Sequence, residues 1–315
     1  MTKTPIFPAF KKLDQDFYYD YQLFISKFPQ HCDYTLNNLL VWTKDGYDIE
    51  YCWLNDNIVF KNLNLTFINL NPDENVLKLT IVGVKDADDS LKIIFDTYKD
   101  VSVEFAPDYF IEKIRDKSKY NIVEDVSNRD YIIEINQLLD KKGSKYENFR
   151  YQIKYFLKKY SDNAVVKDLD LTKQATIVEI VNAMHTWPFI SSFIESGNDP
   201  FKLDAKAINR LFLIQSELFI KHQAIGLYVD SQLQGFSIYH IPPYQHHIAL
   251  GNHIKYNGTY KRLFDFLVYS TASKLHTQNI KLLNAEQDMG LPGIRTHKMD
   301  LNPVYFYKKY NITRL

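Results

Sequence analysis

The chain has 315 residues, with 38 basic and 38 acidic side chains and an aromatic content of 15%. This length fits one large domain or two of ordinary size, and the balanced charge argues against a protein that coats nucleic acids. Two cysteines without a C-x-x-C spacing exclude a disulfide framework and favour a reducing compartment. Because the start lacks a signal peptide's apolar segment and no apolar run is long enough to span a membrane, we expect a cytoplasmic protein.

The first part of the chain alternates strand-like and helix-like patterns. Acidic residues open a helix-like segment after residue 85, and an extended apolar run precedes it. In chain order the patterns predict a helix over 14–27, strands over 47–54, 57–70 and 76–84, a helix over 86–98 and a strand over 101–105. We therefore predict a mixed α/β N-terminal domain over residues 1–127.

The second part begins with an amphipathic helix over 146–160, whose apolar residues recur at steps of three and four. The patterns that follow predict a strand over 164–169, helices over 172–187 and 204–221, strands over 224–230, 233–241 and 245–252, a helix over 259–278, a strand over 280–285 and a short helix from Asn302. An antiparallel meander that leads into a helix and a further strand is the order of a GNAT-type acyltransferase. We predict a tandem GNAT-like fold with two mixed sheets flanked by helices, whose C-terminal domain covers 128–315 and includes the basic helix.

The clearest candidate site follows the last predicted strand. Asn284, Glu286 and Asp288 would lie at or just past its carboxyl end, and Arg295 and Lys298 follow after two glycines. Charged side chains are poor core material, so this stretch predicts a site, although an ion-pair network that merely orders the loop would give the same pattern. Glu286 and Asp288 share strand parity, and both carboxylates would face one side if the strand extends that far.

Two further features suggest phosphate binding. Residues 141–160 contain seven basic side chains and a single acid, Glu147. Arg150, Lys154 and Lys158 are therefore candidates for contacts with phosphates, although a solvated helix face is an equally good interpretation. Gly258 would place free N–H groups at the start of the helix over 259–278, but a multi-glycine phosphate loop is missing, which favours a donor other than acyl-CoA.

Four histidines lie within fourteen residues: His240, His246, His247 and His253. In a strand only His247 and His253 would share a face, and acidic partners lie elsewhere. We therefore predict no metal site.

A resemblance to a known family rests on specific residues. The sequence resembles the C-terminal domain of phosphatidylglycerol lysyltransferases, including stand-alone bacterial members, at Asn284, Glu286, Asp288, Gly290, Ile294-Arg295, Lys298, Pro303, Gly258-x-Tyr260, Gly143 to Tyr146 with Arg150, and Thr35 to Trp42. The resemblance implies two GNAT-like halves joined by a helix, as in the Fem-type transferases that use aminoacyl-tRNA.

The function implied is transfer of an aminoacyl group from aminoacyl-tRNA to an amine or hydroxyl acceptor, which could be a lipid headgroup, a peptide or a small molecule. No prosthetic group is expected. The predicted catalytic residues are Asp288, Glu286, Arg295 and Lys298, and the predicted donor-binding residues are Asn284, Gly258, Tyr260, Arg150 and Lys154. A carboxylate would act as base or hold an ammonium group, and the cations would neutralise a phosphate. An acyl-CoA-dependent N-acyltransferase and a non-catalytic binding module remain the alternatives.

Overall fold

The computed structural model describes residues 4–42, 49–61, 63, 76–187, 200–218 and 221–315, without the side chains of 15, 16, 200–204 and 216–218. The chain forms two compact units. Unit 1 comprises Met1–Asp130, Gln287–Pro292 and Phe306–Leu315, and unit 2 comprises Tyr131–Glu286 and Gly293–Tyr305. The predicted division at 127/128 differs from this one mainly at the C-terminus, because the last strand of the chain pairs within the sheet of unit 1.

Unit 1 contains a seven-stranded mixed sheet, in which only the β4–β5 pair is parallel among the pairs described. Its elements up to the unit boundary are β1 Lys11–Lys12, α1 Gln15–Ile25, α2 Leu36–Val41, β2 Glu50–Leu54, β3 Asn57–Lys61, β4 Leu77–Val82, α3 Ala87–Thr97, β5 Val101–Pro107, α4 Asp108–Ile111 and β6 Tyr120–Glu124. Helix α3 connects the parallel strands, as such a crossover requires. It buries Leu91, Ile94 and Phe95 and carries Asp88 and Asp89 in its first turn, where the helix dipole favours acids.

Unit 2 contains most of a second seven-stranded sheet, in the order β13-β7-β12-β11-β10-β9-β8. The remaining elements are β7 Asp130–Glu134, α5 Ile135–Asp140, α6 Glu147–Tyr160, β8 Ala164–Leu169, α7 Gln174–Thr186, α8 Pro200–Leu218, β9 His222–Val229, β10 Gln232–His240, β11 Ile248–Tyr256, α9 Leu263–Thr277, β12 Leu282–Asn284, α10 Pro292–Asp300, β13 Tyr305–Tyr307 and β14 Lys309–Arg314. Strand β14 lies between β5 and β6 in the sheet of unit 1. Strand β12 is parallel to β11 and antiparallel to β7.

Helices α6 and α9 form the core of unit 2 together with the sheet. Phe149 and Ile153 of α6 pack with Val268 and Leu275 of α9, and Phe156 packs with a second buried group around Leu267. Burying side chains of this size stabilises the unit by about 1.5–3 kcal/mol each. The apolar face of α6 is therefore held inward, and its basic residues remain outside.

The prediction of two mixed sheets flanked by helices is confirmed. The predicted short helix from Asn302 is wrong, because residues 302–304 belong to no helix or strand and are followed by β13 and β14. The helix α10 was not predicted. Helix α9 begins at Leu263 rather than at 259, and β12 ends at Asn284. Most of the strand predicted over 57–70 lies outside the described residues. Among those described, no helix combines the length and hydropathy that crossing a bilayer demands.

A buried ion cluster ties distant segments of unit 1 together. The Lys309 ammonium of β14 donates to Asp130 Oδ1 at 2.6 Å, to Gln287 Oε1 at 3.1 Å and to the carboxylate of Asp33. The backbone N–H and the thiol of Cys32 also donate to Asp130, at 2.6 and 3.1 Å. We call these five residues, Cys32, Asp33, Asp130, Gln287 and Lys309, the Lys309 cluster.

The charges of the Lys309 cluster compensate one another. Burial by itself lowers the pKa of Lys309, but the carboxylates of Asp130 and Asp33 outweigh it, and the net pKa lies well above the ordinary value. Both Lys309 and Asp130 are fully buried. An ion pair of this kind adds little net stability compared with a well-packed apolar pair, but removing one partner leaves a buried charge without compensation.

Lys309→Met is therefore expected to lower the free energy of unfolding by about 3–5 kcal/mol, because it leaves two buried carboxylates without their cation. The neighbouring Lys308 provides the control, since its partly exposed ammonium pairs with Glu124 at 2.9 Å. Lys308→Met should cost about 0–1 kcal/mol. Urea denaturation of the two variants at pH 7 measures the difference, and equal losses would contradict a buried ion pair at Lys309.

Candidate active site

Glu286 is a half-buried carboxylate just past the end of an interior strand of unit 2. Its backbone N–H donates to the side-chain oxygen of the buried Asn284 at 2.7 Å, and its carbonyl accepts from the N–H of Tyr131 at 3.2 Å. With a φ of +58°, Glu286 is in the left-handed region, which ends the strand and redirects the chain. The backbone of Glu286 is thus fixed on both sides.

Two residues that we did not assign to the site, Asn252 and His240, are linked in series to the Glu286 side chain. Asn252 donates from Nδ2 to Glu286 Oε1 at 3.3 Å, and His240 Nδ1 lies 3.0 Å from Asn252 Oδ1. The register between β10 and β11 shifts at this point, so that Asn252 is an extra residue in β11, a β-bulge. Bulges re-aim a side chain, and this one turns Asn252 towards both partners.

His240 is uncharged at neutral pH. Burial lowers the pKa of its imidazole to about 4, although the hydrogen bond with Asn252 acts in the opposite direction. The ring of His222, on the adjoining strand β9, meets it edge-on at 5.7 Å between centroids. The sequence signal that could have identified His240 and Asn252 was a polar side chain within an otherwise apolar strand.

Asp288 differs from Glu286 in its surroundings. It belongs to unit 1, is fully buried, and accepts from the N–H of Gly290 at 2.7 Å through Oδ1. Gly290 has a φ of +75°, which suits glycine in this tight turn. Since β12 ends at Asn284, the strand-parity argument that grouped Asp288 with Glu286 does not apply. The observed contact makes Asp288 a turn-forming residue, and a catalytic role for it stays a prediction.

Arg295 and Lys298 lie on the less exposed face of α10. Both are half-buried, as is Ile294, whereas the residues between and after them are exposed, and Leu301 beyond the helix is buried. Positions three apart share a helix face, so the two cations are directed to the same side. The Lys298 ammonium lies 5.8 Å from the ring centroid of Tyr131, the residue whose N–H binds the Glu286 carbonyl.

Gly258 does not open a helix. It lies in a turn, five positions before α9, and this turn is organised by Asn257, whose side-chain oxygen accepts from the N–H of Thr259 at 3.0 Å. The helix start predicted at Gly258 is therefore wrong, and a donor-binding role for Gly258 stays a prediction. Tyr260 is half-buried, and its ring makes a tilted contact with that of Tyr160 at 5.5 Å between centroids.

The basic residues of α6 differ from one another. Arg150 donates to the carbonyl of Gly143 at 2.7 Å and also to that of Lys141, so it orders the connection from α5 to α6. Lys154 and Lys158 are exposed and lie one turn apart. A phosphate-binding surface on α6 would therefore depend on the lysines.

The histidine-rich segment forms no convergent set. His246 and His247 lie in the turn before β11 and are exposed, whereas His253 is buried within that strand. Among the residues that the structure describes, the group that could hold a metal ion is Cys32, Asp33 and Asp130. The Lys309 ammonium already lies among these side chains.

The lowered pKa of His240 predicts how the free energy of unfolding changes with pH. An unfolded histidine gains a proton near pH 6.5, whereas the folded one stays neutral down to about pH 4. Between these values the unfolded state binds more protons, so stability falls as the pH is lowered through this window, by roughly 3 kcal/mol in total. This loss should be absent in His240→Gln and retained in the control His276→Gln, at an exposed position of α9. Chemical denaturation between pH 4 and 7 checks it, and parallel curves for wild type and His240→Gln would contradict it.

No protein-family model matches the sequence, and no curated protein does. The chain is similar in structure to a conserved protein of unknown function from Bacteroides thetaiotaomicron, with a TM-score of 0.76 and 19% identity over 98% of this chain and 99% of that one. It is similar to the DUF2156 C-terminal domain of a lysylphosphatidylglycerol synthetase from Agrobacterium fabrum, with a TM-score of 0.60 and 9% identity over 94% and 91% of the two chains. It is also similar to FemX, with a TM-score of 0.55 and 7% identity over 98% and 97%.

Identities this low report on the fold alone. The resemblance predicted from the site residues is confirmed at that level: the chain shares its fold with the C-terminal domain of the lysylphosphatidylglycerol synthetase and with FemX.

Proposed function

We propose that this protein is an aminoacyltransferase that moves an aminoacyl group from aminoacyl-tRNA to an amine or hydroxyl acceptor. The observation that supports it most is the Glu286 carboxylate, half-buried at the end of β12 and held by Asn252. A further support is the fold, which is that of a protein named as a synthetase of lysylphosphatidylglycerol, an aminoacylated lipid.

The proposed reaction exchanges one bond for another at the carbonyl carbon of the donor ester. The acceptor nitrogen or oxygen attacks this carbon and forms the new bond, and the bond from the carbon to the ribose oxygen of the tRNA breaks. Glu286 accepts the proton that the nucleophile loses and returns it to the leaving ribose oxygen. A carboxylate held in place by hydrogen bonds suits both transfers, since it needs no reorientation between them.

The cations of α10 have a separate role in this proposal. Arg295 offers a planar set of donors that suits a phosphate of the tRNA terminus, and Lys298 adds a second positive charge on the same helix face. Lys298 and Glu286 share Tyr131 as a neighbour. The donor phosphate would therefore bind within unit 2, which also provides the base.

Glu286→Gln is expected to lower kcat for transfer by about 10²–10⁴-fold, because the amide keeps the size of the side chain but cannot accept the proton. The measurement follows labelled amino acid from a mixture of charged tRNAs into products with phosphatidylglycerol micelles or free amines as acceptors. Asp288→Asn is the matched comparison, and we expect it to lower stability more than kcat. If Glu286→Gln transfers at the wild-type rate, Glu286 is not the base.

The exposed lysines of α6 generate a binding prediction. Lys154→Ala combined with Lys158→Ala should weaken retention of tRNA and reduce the slope of log affinity against log salt by about 2, since each lost phosphate contact removes about one unit. Lys113→Ala combined with Lys117→Ala, at exposed positions of unit 1, is the control. Filter binding at several salt concentrations measures the slope, and equal slopes for the two double variants would rule out this surface.

If the donor were acyl-CoA, a melting-temperature experiment would give a different result. The turn around Gly258 contains a single glycine, and α9 begins only at Leu263, so the N–H groups that would hold a pyrophosphate are not collected there. A rise in melting temperature with acetyl-CoA, and none with charged tRNA, would replace our proposal by an acyl-CoA-dependent reaction.

A further inference from the structure

Two hydrogen bonds link His240 to Glu286 through Asn252, and only one assignment of donors and acceptors is possible in them. An ionised carboxylate accepts and never donates, so the Asn252 side chain must present its NH₂ group to Glu286. The amide oxygen of Asn252 then faces His240, and a bond at 3.0 Å requires the imidazole to donate from Nδ1. This polarity follows from the chemistry of the three groups.

The surroundings keep His240 in the state that this polarity requires. Its imidazole is neutral, since burial lowers its pKa to about 4, and a neutral ring has one N–H to place. The acceptor on Asn252 determines that the proton lies on Nδ1. His240 and Asn252 are only 4% and 6% exposed, so water competes little for these bonds.

Two apolar side chains in place of His240 and Asn252 would fill the same space without a desolvation penalty. Burying an imidazole and an amide between strands carries a desolvation penalty that only satisfied hydrogen bonds offset. The bulge at Asn252 also interrupts the pairing of β10 with β11. Desolvation of the two polar side chains and the interrupted strand pairing both oppose folding. The arrangement that results places the N–H of the Asn252 amide against the Glu286 carboxylate.

We infer that His240 is a positioning residue that acts through Asn252 to orient the Glu286 carboxylate for proton transfer. This inference rests on the proposed function, because it assigns Glu286 the role of the base. His240 itself does not touch the substrate. Its contribution is to prevent the Asn252 amide from rotating, which would turn an oxygen towards the carboxylate and displace it.

The kinetic test compares two substitutions at one position, with the charged-tRNA assay described above. His240→Phe keeps a planar ring but removes the donor, and it should lower kcat about 10–100-fold while KM changes less than two-fold, since only the alignment of the base is lost. His240→Gln returns an N–H donor and should recover kcat to within about five-fold of wild type. Equal kcat in wild type and His240→Phe, or no recovery in His240→Gln, would overturn the inference.

A spectroscopic test needs no activity. Nitrogen-15 NMR of the imidazole should find His240 at pH 7 as the neutral tautomer protonated at Nδ1, and the same tautomer in the control Lys113→Ala, at an exposed position of unit 1. A proton on Nε2 would overturn the inference whatever the enzyme does. If instead wild type transfers no aminoacyl group while the Nδ1 tautomer is found, the proposed function fails and the hydrogen-bond polarity stands.

Discussion

The fold of unit 1 depends on the neutralisation of one buried ammonium group. Lys309 cannot leave water without anionic partners, and the partners come from two other parts of the chain, Asp33 near its start and Asp130 at the end of the first segment. Because Lys309 belongs to β14, the same charges hold that strand between β5 and β6. A misplaced β14 would leave three ionised groups in an apolar core, so the cluster selects one arrangement of strands over its competitors.

Local patterns were sufficient where a segment is determined by its own sequence. The stripe of apolar residues in α6 and the acidic first turn of α3 predict these helices closely, and the meander of β9, β10 and β11 was found from its apolar strands and short turns. Patterns failed near the C-terminus. Strand β14 mixes lysine, tyrosine, asparagine and arginine, and it becomes a strand because β5 and β6 supply partners from distant sequence.

The candidate site was predictable in part, for a similar reason. The change from apolar to charged residues after Leu283 correctly located the end of an interior strand, with Glu286 just beyond it. Spacing suggested that Asp288 would lie beside Glu286, but the left-handed conformation of Glu286 breaks the alternation on which that argument relied. The position of Asn252 could not be predicted from spacing, because a bulge adds one residue to β11 and shifts a side chain out of the two-residue period of a strand.

The discontinuity of unit 1 has a consequence for protein engineering. A gene truncated after Asp130 would encode a sheet that lacks an interior strand and two carboxylates that lack their counter-ion. The halves of this chain are therefore not separable by a single cut, even though each has its own core. A circular permutant that joins the last strand to the first segment would supply the missing strand in cis, but its linker would have to cross the four strands that separate β14 from β1.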